Sequence, residues 1–172
     1  MTSCPLPVIG VIRSARTDQA ATPVQAALNR SERATIEIAA EFAAGLAGLI
    51  GTEKFAGFDY LWLLTWLHDS GAAAPEPPSL MQVPFLLRSQ GESMGIFATR
   101  GPRRINPIGL SLVQLLEVDG RMIHFAGVDM VNGTPVVDIK PYVSHFDRPP
   151  GAPRSGWFDA VDLVEGVTPA DL

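Results

Sequence analysis

The stretch from Gly95 to Tyr142 constrains the fold more than any other part of the chain, because prolines interrupt its alternating hydrophobic segments. Proline has a fixed φ and no amide hydrogen, so it delimits a strand rather than lying inside one. The prolines concerned are Pro102, Pro107, Pro135 and Pro141. The stretch therefore predicts short strands that carry two rigid loops, residues 99–109 and 129–142.

These two loops carry a high density of charged and hydrogen-bonding side chains on backbone with little freedom. The side chains are Arg100, Arg103, Arg104, Asn106, Asp129, Asn132, Asp138 and Lys140. Polar groups that are held in place before binding favour the recognition of a polar ligand. The sequence thus predicts a binding site formed by the two loops.

Segments typical of β-strands recur along the chain. They are Pro7–Arg13, Ala34–Ile38, Phe58–Leu67, Val83–Arg88, Met94–Ala98, Leu110–Val118, Met122–Ala126 and Val136–Ile139. Asp119–Gly120 is a strong signal for a two-residue hairpin turn. Glu41–Leu49, with many small residues, and Trp157–Leu163 indicate short helices.

Seven or eight short strands with little helix predict a mainly β fold, a single-domain β-barrel of a non-Rossmann type with short peripheral helices. A Rossmann domain would need strands that alternate with helices of about ten residues or more, and a glycine-rich first turn. The chain has neither pattern.

The strand predicted at Phe58–Leu67 has apolar side chains on both faces. Such a strand lies either in a barrel wall that a helix covers or at a contact between subunits. Stacking of its aromatic rings on nucleobases is disfavoured, because basic residues usually accompany such platforms.

A chain of 172 residues is long enough for one domain with a full core. No apolar run approaches the roughly 20 residues that a membrane helix needs. The N-terminus does not resemble a secretory signal, so we expect a cytoplasmic location and no membrane contact. The single cysteine, Cys4, excludes an intrachain disulfide and a cysteine-based zinc site.

The net charge of −5 argues against a general nucleic-acid binder, since phosphate contacts need a positive surface. Arg100, Arg103 and Arg104 nevertheless form a compact basic cluster that can contact one short RNA loop. The spacing of the three histidines and Asp69 fits no compact ligand motif, so no metal site is expected.

Two motifs in this stretch resemble the signature of the TsaA-like family, the TrmO tRNA adenine N(6)-methyltransferases. The first, close to F-x-T-R-S-P-x-R-P-N-P-I-G-x-S, is matched at Phe97, Thr99, Arg100, Pro102, Arg104, Asn106, Pro107, Ile108, Gly109 and Ser111. The second, D-x-x-D-G-T-P-x-x-D-I-K-P-Y, is matched at Asp129, Gly133, Thr134, Pro135, Asp138, Ile139, Lys140, Pro141 and Tyr142.

The chain departs from the family pattern at four positions. Gly101, Ile105 and Asn132 stand where the family usually has Ser, Pro and Asp, and Val24 replaces the Arg of a Pro-Arg-Gln loop. Asn132 keeps an oxygen acceptor but loses the charge of Asp.

The resemblance implies a homodimeric β-barrel that uses S-adenosyl-L-methionine to methylate threonylcarbamoyl-adenosine beside the anticodon of tRNA. It covers about residues 7–147, so we predict a barrel domain over 1–147 and a Pro/Gly-rich, then acidic, tail over 148–172. Two other interpretations stay open: a paralogue that methylates another RNA or a small molecule, and a non-catalytic sensor of the cofactor.

The resemblance and the residue chemistry together give the predicted site. The cofactor-binding positions are Pro23, Gln25, His68, Asp69, Arg100, Leu110, Met130, Val131, Asn132 and Gly133. Arg100 is the candidate for the cofactor carboxylate, because a guanidinium binds a carboxylate through two hydrogen bonds. Asp138 and Asp129 are the candidate proton acceptors, and Arg104 and Lys140 are candidates for the carboxylate of the modified base.

Overall fold

A closed barrel of six antiparallel strands forms the centre of the computed structural model, which describes residues 5–67, 79–162 and 166–168. The strands of the described chain are β1 (Gly10–Arg13), β2 (Arg33–Ile38), β3 (Tyr60–Trp66), β4 (Met81–Gln82), β5 (Met94–Gly95), β6 (Ile108–Asp119), β7 (Met122–Ala126) and β8 (Pro135–Pro141). The order around the barrel is β1-β2-β7-β6-β3-β8, and β4 and β5 form a separate ribbon. The predicted mainly β barrel is thus confirmed.

The helices of the described residues are short and lie between the strands. The 3-10 helices span Gln19–Ala21, Ala26–Leu28, Ala40–Leu46, Phe85–Gln90, Ile96–Ala98 and Gly156–Ala160, and one α-helix, α1, spans Ser144–Asp147. None of the helices in this part of the chain is long and apolar enough to cross a membrane.

Alternate residues of each barrel strand point inward and form one core. Ile12, Ile36, Leu61, Val113 and Phe125 are at most 1% exposed. Burying one such side chain contributes about 1.5–3 kcal/mol to stability. The period of two that identified these strands in the sequence therefore also assigns their buried faces.

Strand β3 places Leu61, Leu63 and Thr65 inside the barrel. Its outward face consists of aromatic and aliphatic side chains, of which Tyr60 and Trp66 are 42% and 37% exposed. The prediction of two apolar faces is correct. The outer face is covered in part, since Trp62 and Leu64 are half-buried and the ring centroids of Trp62 and Tyr142 are 6.3 Å apart.

Prolines end strands as predicted. Strand β6 begins directly after Pro107, whose carbonyl accepts a hydrogen bond of 2.8 Å from the amide of Leu67. Pro135 and Pro141 are the first and last residues of β8.

Three local predictions are wrong. Val83–Arg88 is not a strand, since a 3-10 helix begins after Pro84 and ends at Gly91, which has a φ of +66°. The strand predicted at Met94–Ala98 is only Met94–Gly95 and continues as a 3-10 helix. The hairpin loop consists of Gly120 and Arg121, because Asp119 pairs with Met122.

The predicted helices are shifted and are of the 3-10 type. Glu41–Leu49 corresponds to Ala40–Leu46. Trp157–Leu163 corresponds to Gly156–Ala160, and Leu163 lies outside the described residues.

Candidate functional site

Asp129 joins three segments of the chain at one end of the barrel. Its Oδ2 accepts a hydrogen bond of 2.9 Å from the amide of Ala26, in the loop that follows Pro23 and Gln25. The hydroxyl of Ser111 on β6 donates to Oδ1 and Oδ2 at 2.8 and 3.0 Å. The loop after β7, the 23–28 segment and β6 therefore meet at this carboxyl.

The surroundings of Asp129 change its acidity. Burial raises its pKa to about 6, although hydrogen bonds from Ser111 and Ala26 and the positive charge of Arg100 act in the opposite direction. The carboxyl is consequently ionised at neutral pH, yet it is far more basic than an ordinary aspartate.

Residues of β1 and of the segment that follows it hydrogen-bond to the loop Met130–Gly133. The hydroxyl of Ser14 donates to the carbonyl of Met130 at 3.1 Å, and the amide of Gly133 donates to Ile12 at 2.9 Å. The amide of Asn132 donates to the carbonyl of Arg16 at 2.6 Å. These backbone groups, which we expected to meet a ligand, are therefore in part already engaged by the protein itself.

Gly133 is needed for the shape of this loop. Its φ is +85°, in the left-handed region that side chains rarely adopt, and a Cβ at this position would meet no atom within 4 Å. The space beside the backbone is thus open, as the predicted close approach of a ligand requires.

Arg100 reaches from the first motif loop to the same end of the barrel. Its Nη2 donates to the carbonyl of Leu110 at 3.1 Å, and its charge lowers the pKa of Asp129. Leu110 is 46% exposed. Arg104 instead stabilises its own loop, since Nη1 donates to the carbonyl of Thr99 at 3.1 Å.

A small cavity of about 40 Å³ adjoins Asp129. It is lined by Gln19, Thr22, Leu67, Asp129, Met130, Val131 and Thr134. A cavity of this size holds about one water molecule. The cavity is therefore too small for a ligand of nucleoside size, whereas Arg100 and Leu110 are exposed. Pro23 is buried near this end, and Gln25 donates through Nε2 to the carbonyl of Val24 at 2.7 Å.

Asp138 and Lys140 lie apart from this junction, on the outer face of β8. Lys140 Nζ is 2.8 Å from Asp138 Oδ2, and the two side chains are 65% and 43% exposed. They stand opposite Trp62 and Leu64 of β3. Asp138 and Lys140 could instead have paired with Arg103 or Arg104 in a structural network. Among the contacts of the described residues they pair with each other, so that alternative is wrong.

Sequence reasoning missed the side chains that support the site. Ser111 lies in the first motif, but no role is predicted for it from the sequence. Its place in the motif, two residues after Gly109, is the signal that could have identified it. Asn29 donates to the carbonyl of Val128 and to Glu32, both at 2.7 Å. Arg16 binds the Glu32 carboxylate and holds its pKa below the usual range.

Two predicted site residues, His68 and Asp69, lie outside the described residues. Within the described ranges, no three His, Cys, Asp or Glu side chains form a group that could hold a metal ion.

Known proteins share both the sequence pattern and the fold of this chain. The model of the tRNA-methyltransferase O N-terminal domain matches residues 11–148. The chain belongs to this family. In solved structures, TrmO from Pseudomonas aeruginosa matches with a TM-score of 0.68 and 31% identity, over 90% of this chain and 62% of that one.

Curated relatives of this TrmO-type domain come from several lineages. A tRNA (adenine(37)-N6)-methyltransferase of Escherichia coli is 36% identical over 90% of this chain and 64% of its own length. A probable S-adenosyl-L-methionine-binding protein of Archaeoglobus fulgidus is 39% identical over 93% and 39%. A tRNA (adenine(37)-N6)-methyltransferase of Rattus norvegicus is 35% identical over 82% of this chain, which spans only 31% of that relative.

Proposed function

We propose that this protein is an S-adenosyl-L-methionine-dependent methyltransferase that acts on the exocyclic amino group of an adenine in the anticodon loop of tRNA. The observation that carries the proposal is the meeting of both family motifs at Asp129, where Arg100, Leu110 and the Met130–Gly133 loop lie around one carboxyl. The names of the Escherichia coli and Archaeoglobus fulgidus relatives support the reaction and the cofactor.

The residues present fit the cofactor. Arg100 uses one nitrogen on Leu110 and keeps further donors for the carboxylate of the amino-acid part. Gly133 leaves open space for the adenine edge, and Gln25 lies on the neighbouring loop. The bound cofactor supplies the methyl group and the positive charge that make the transfer possible.

Methyl transfer is an in-line displacement, so alignment supplies most of the rate and few catalytic side chains are needed. The adenine nitrogen must still lose a proton. Asp129 suits this role because its pKa, raised to about 6, makes it a better base than an ordinary aspartate and still leaves it mostly ionised at neutral pH. Asp138 is the second candidate, but its carboxylate is paired with Lys140 on the outer face of β8, apart from the junction at Asp129.

The acceptor is proposed to be threonylcarbamoyl-adenosine, whose side group carries a carboxylate. Arg104, on the rigid loop beside Arg100, or the exposed Lys140 would pair with it. Because the proposed substrate is cellular tRNA, the same proposal includes a cytoplasmic location.

The test is transfer of radiolabelled methyl from S-adenosyl-L-methionine to tRNA from cells with and without the threonylcarbamoyl modification. We expect label in the modified tRNA only, and we expect Arg104→Ala to lose about tenfold of this preference, the usual effect of one charged hydrogen bond. Arg154→Ala, in the exposed tail, is the matched control.

Cofactor binding without transfer to either tRNA would contradict the proposal and indicate a paralogue or a sensor. Transfer with equal preference in wild type and Arg104→Ala would leave the activity intact but remove Arg104 from substrate recognition.

The partly exposed outer face of β3 supports a homodimer as part of this function. Trp62 and Leu64 stand next to Leu112 and Leu110 of β6 on one side and to the Lys140–Asp138 ion pair of β8 on the other, beside the exposed Trp66. An apolar surface of this kind marks a protein contact. Trp62→Glu should convert the dimer into a monomer in sedimentation velocity, whereas Phe55→Glu, a change at a 73% exposed loop residue, should not. A wild-type monomer would contradict this assembly.

A further inference from the structure

The outer surface of the barrel carries a second depression, separate from the cavity at Asp129. It is an open groove of about 420 Å³ across β1, β2, β7 and β6. Its polar lining includes Arg13, Arg33, Thr35, Glu117, His124 and Asn132. Of the positions proposed for the cofactor, the lining of the groove includes Asn132 alone, and the volume of the groove lies in the range of small-ligand sites.

A β-bulge in β6 shapes this groove. Leu115 pairs with Phe125 and Glu117 pairs with His124, so Leu116 is the extra residue between them. A bulge bends its strand and redirects the neighbouring side chains. Here it places Glu117 opposite His124 on the outer face, beside Thr35, whose hydroxyl lies 3.2 Å from His124 Nδ1.

The charges of this face are more positive than those of the whole protein, whose net charge is −5. Arg33 is exposed and makes no ion pair with any part of the chain that the structure describes. Glu37 is neutralised by Arg13 at 2.8 Å and lies 3.9 Å from Arg121. Since Arg13 is paired with Glu37, the charged side chains of the lining that have no ion pair among the described residues are Arg33 and Glu117. Arg33 is the cation left for an anionic ligand.

One end of the groove touches the back of the loop that forms the candidate site. The amide of Ser14 donates to Asn132 Oδ1 at 3.4 Å, and Ser14 also holds the carbonyl of Met130. A polymer that lies in the groove would therefore reach the Met130–Gly133 loop.

We propose that this groove binds a short segment of RNA backbone, with Arg33 contacting a phosphate, while the acceptor base of the same tRNA lies at the candidate site. The inference rests on the proposed function. Arginine with neighbouring hydroxyl and amide groups is the usual set for phosphate contacts. Leu116 is the one large apolar side chain of the lining, which disfavours an apolar ligand.

The test measures the dissociation constant of tRNA between about 50 and 200 mM salt for wild type and two groove variants. Arg33→Ala should weaken binding about three- to tenfold and reduce the salt slope by about one. Glu117→Gln should tighten binding, because it removes a negative charge from the same groove. The control is Lys54→Ala, which removes the charge of an exposed residue that does not line the groove.

Cofactor binding, measured by calorimetry, should be the same in all four proteins. Equal tRNA affinity and salt slope in Arg33→Ala and Lys54→Ala would overturn the groove proposal. So would an effect of Arg33→Ala on adenosine monophosphate binding alone, which would indicate a free-nucleotide site. Binding of tRNA that depends on Arg33, without methyl transfer, would support the groove and contradict the proposed function.

Discussion

Asp129→Asn is expected to lower methyl transfer to tRNA by about a hundredfold or more, the range for the loss of a general base or of precise positioning. The carboxylate accepts hydrogen bonds from the amide of Ala26 and the hydroxyl of Ser111. Asn has one oxygen, and its NH2 group would face one of these donors. The change thus removes a base and also loosens the junction of three segments.

The same carboxyl should give the reaction an acid limit. Asp129 must be ionised to act as an acceptor, so the wild-type rate should fall as the pH decreases through about 6, the value to which burial raises its pKa. Asp129→Asn should show no such limb in the pH–rate profile. This comparison separates titration of Asp129 from titration of the substrate.

Protonation of Asp129 in acid should lower the methyl-transfer rate without unfolding the protein. Because the pKa of Asp129 is raised in the folded state, its ionised form costs stability above pH 6, and this cost disappears as the pH falls toward the ordinary value of 3.8. The cost is about 3 kcal/mol at neutral pH. Melting temperatures across this range, measured in wild type and Asp129→Asn, therefore serve as the control.

Asp138→Asn is the matched variant, since Asp138 is exposed and bound to Lys140 on the outer face of β8. A large loss of transfer in Asp138→Asn with a normal rate in Asp129→Asn would reverse the assignment and make Asp138 the base.

Arg100→Ala is expected to weaken S-adenosyl-L-methionine binding by about ten- to a hundredfold, the value of hydrogen bonds to a charged group. Arg100 already bridges to Leu110 and lies near Asp129, so its spare donors point to the end of the barrel where both motifs meet. Arg100→Lys should restore little, because an ammonium cannot form the paired hydrogen bonds of a guanidinium.

Isothermal titration calorimetry with the cofactor measures this effect in the absence of tRNA. Arg104→Ala is the control from the same loop, since Arg104 contacts Thr99 rather than β6. Equal cofactor affinity in Arg100→Ala and wild type would exclude Arg100 from the cofactor site and leave it as a support for β6.

The strands of the barrel could be read from the sequence because their signal is local. Met122–Ala126 has the predicted limits, and Pro107, Pro135 and Pro141 delimit strands as expected. The strand predicted at Val83–Arg88 is wrong because a 3-10 helix, Phe85–Gln90, begins directly after Pro84.

The candidate site also has a part that local sequence predicts and a part that depends on long-range contacts. The residues of the two motifs, Arg100 and Asp129 among them, could be predicted from the sequence because the motifs are long and their spacing is specific. The contacts of Asp129 with Ala26 and Ser111, which are 103 and 18 residues away, depend on the tertiary structure. The Asp138–Lys140 pair is local, because residues two apart on a strand lie on the same face.

The groove beside the candidate loop likewise has no local sequence signal. It depends on the bulge at Leu116 and on the registers of β1, β2, β6 and β7. Side-chain period and proline position act within a few residues, so they determine the strands of this protein. The hydrogen-bond partners of the half-buried Asp129 carboxyl and the shape of the groove depend on closure of the barrel. Closure brings distant segments together, and no local pattern encodes it.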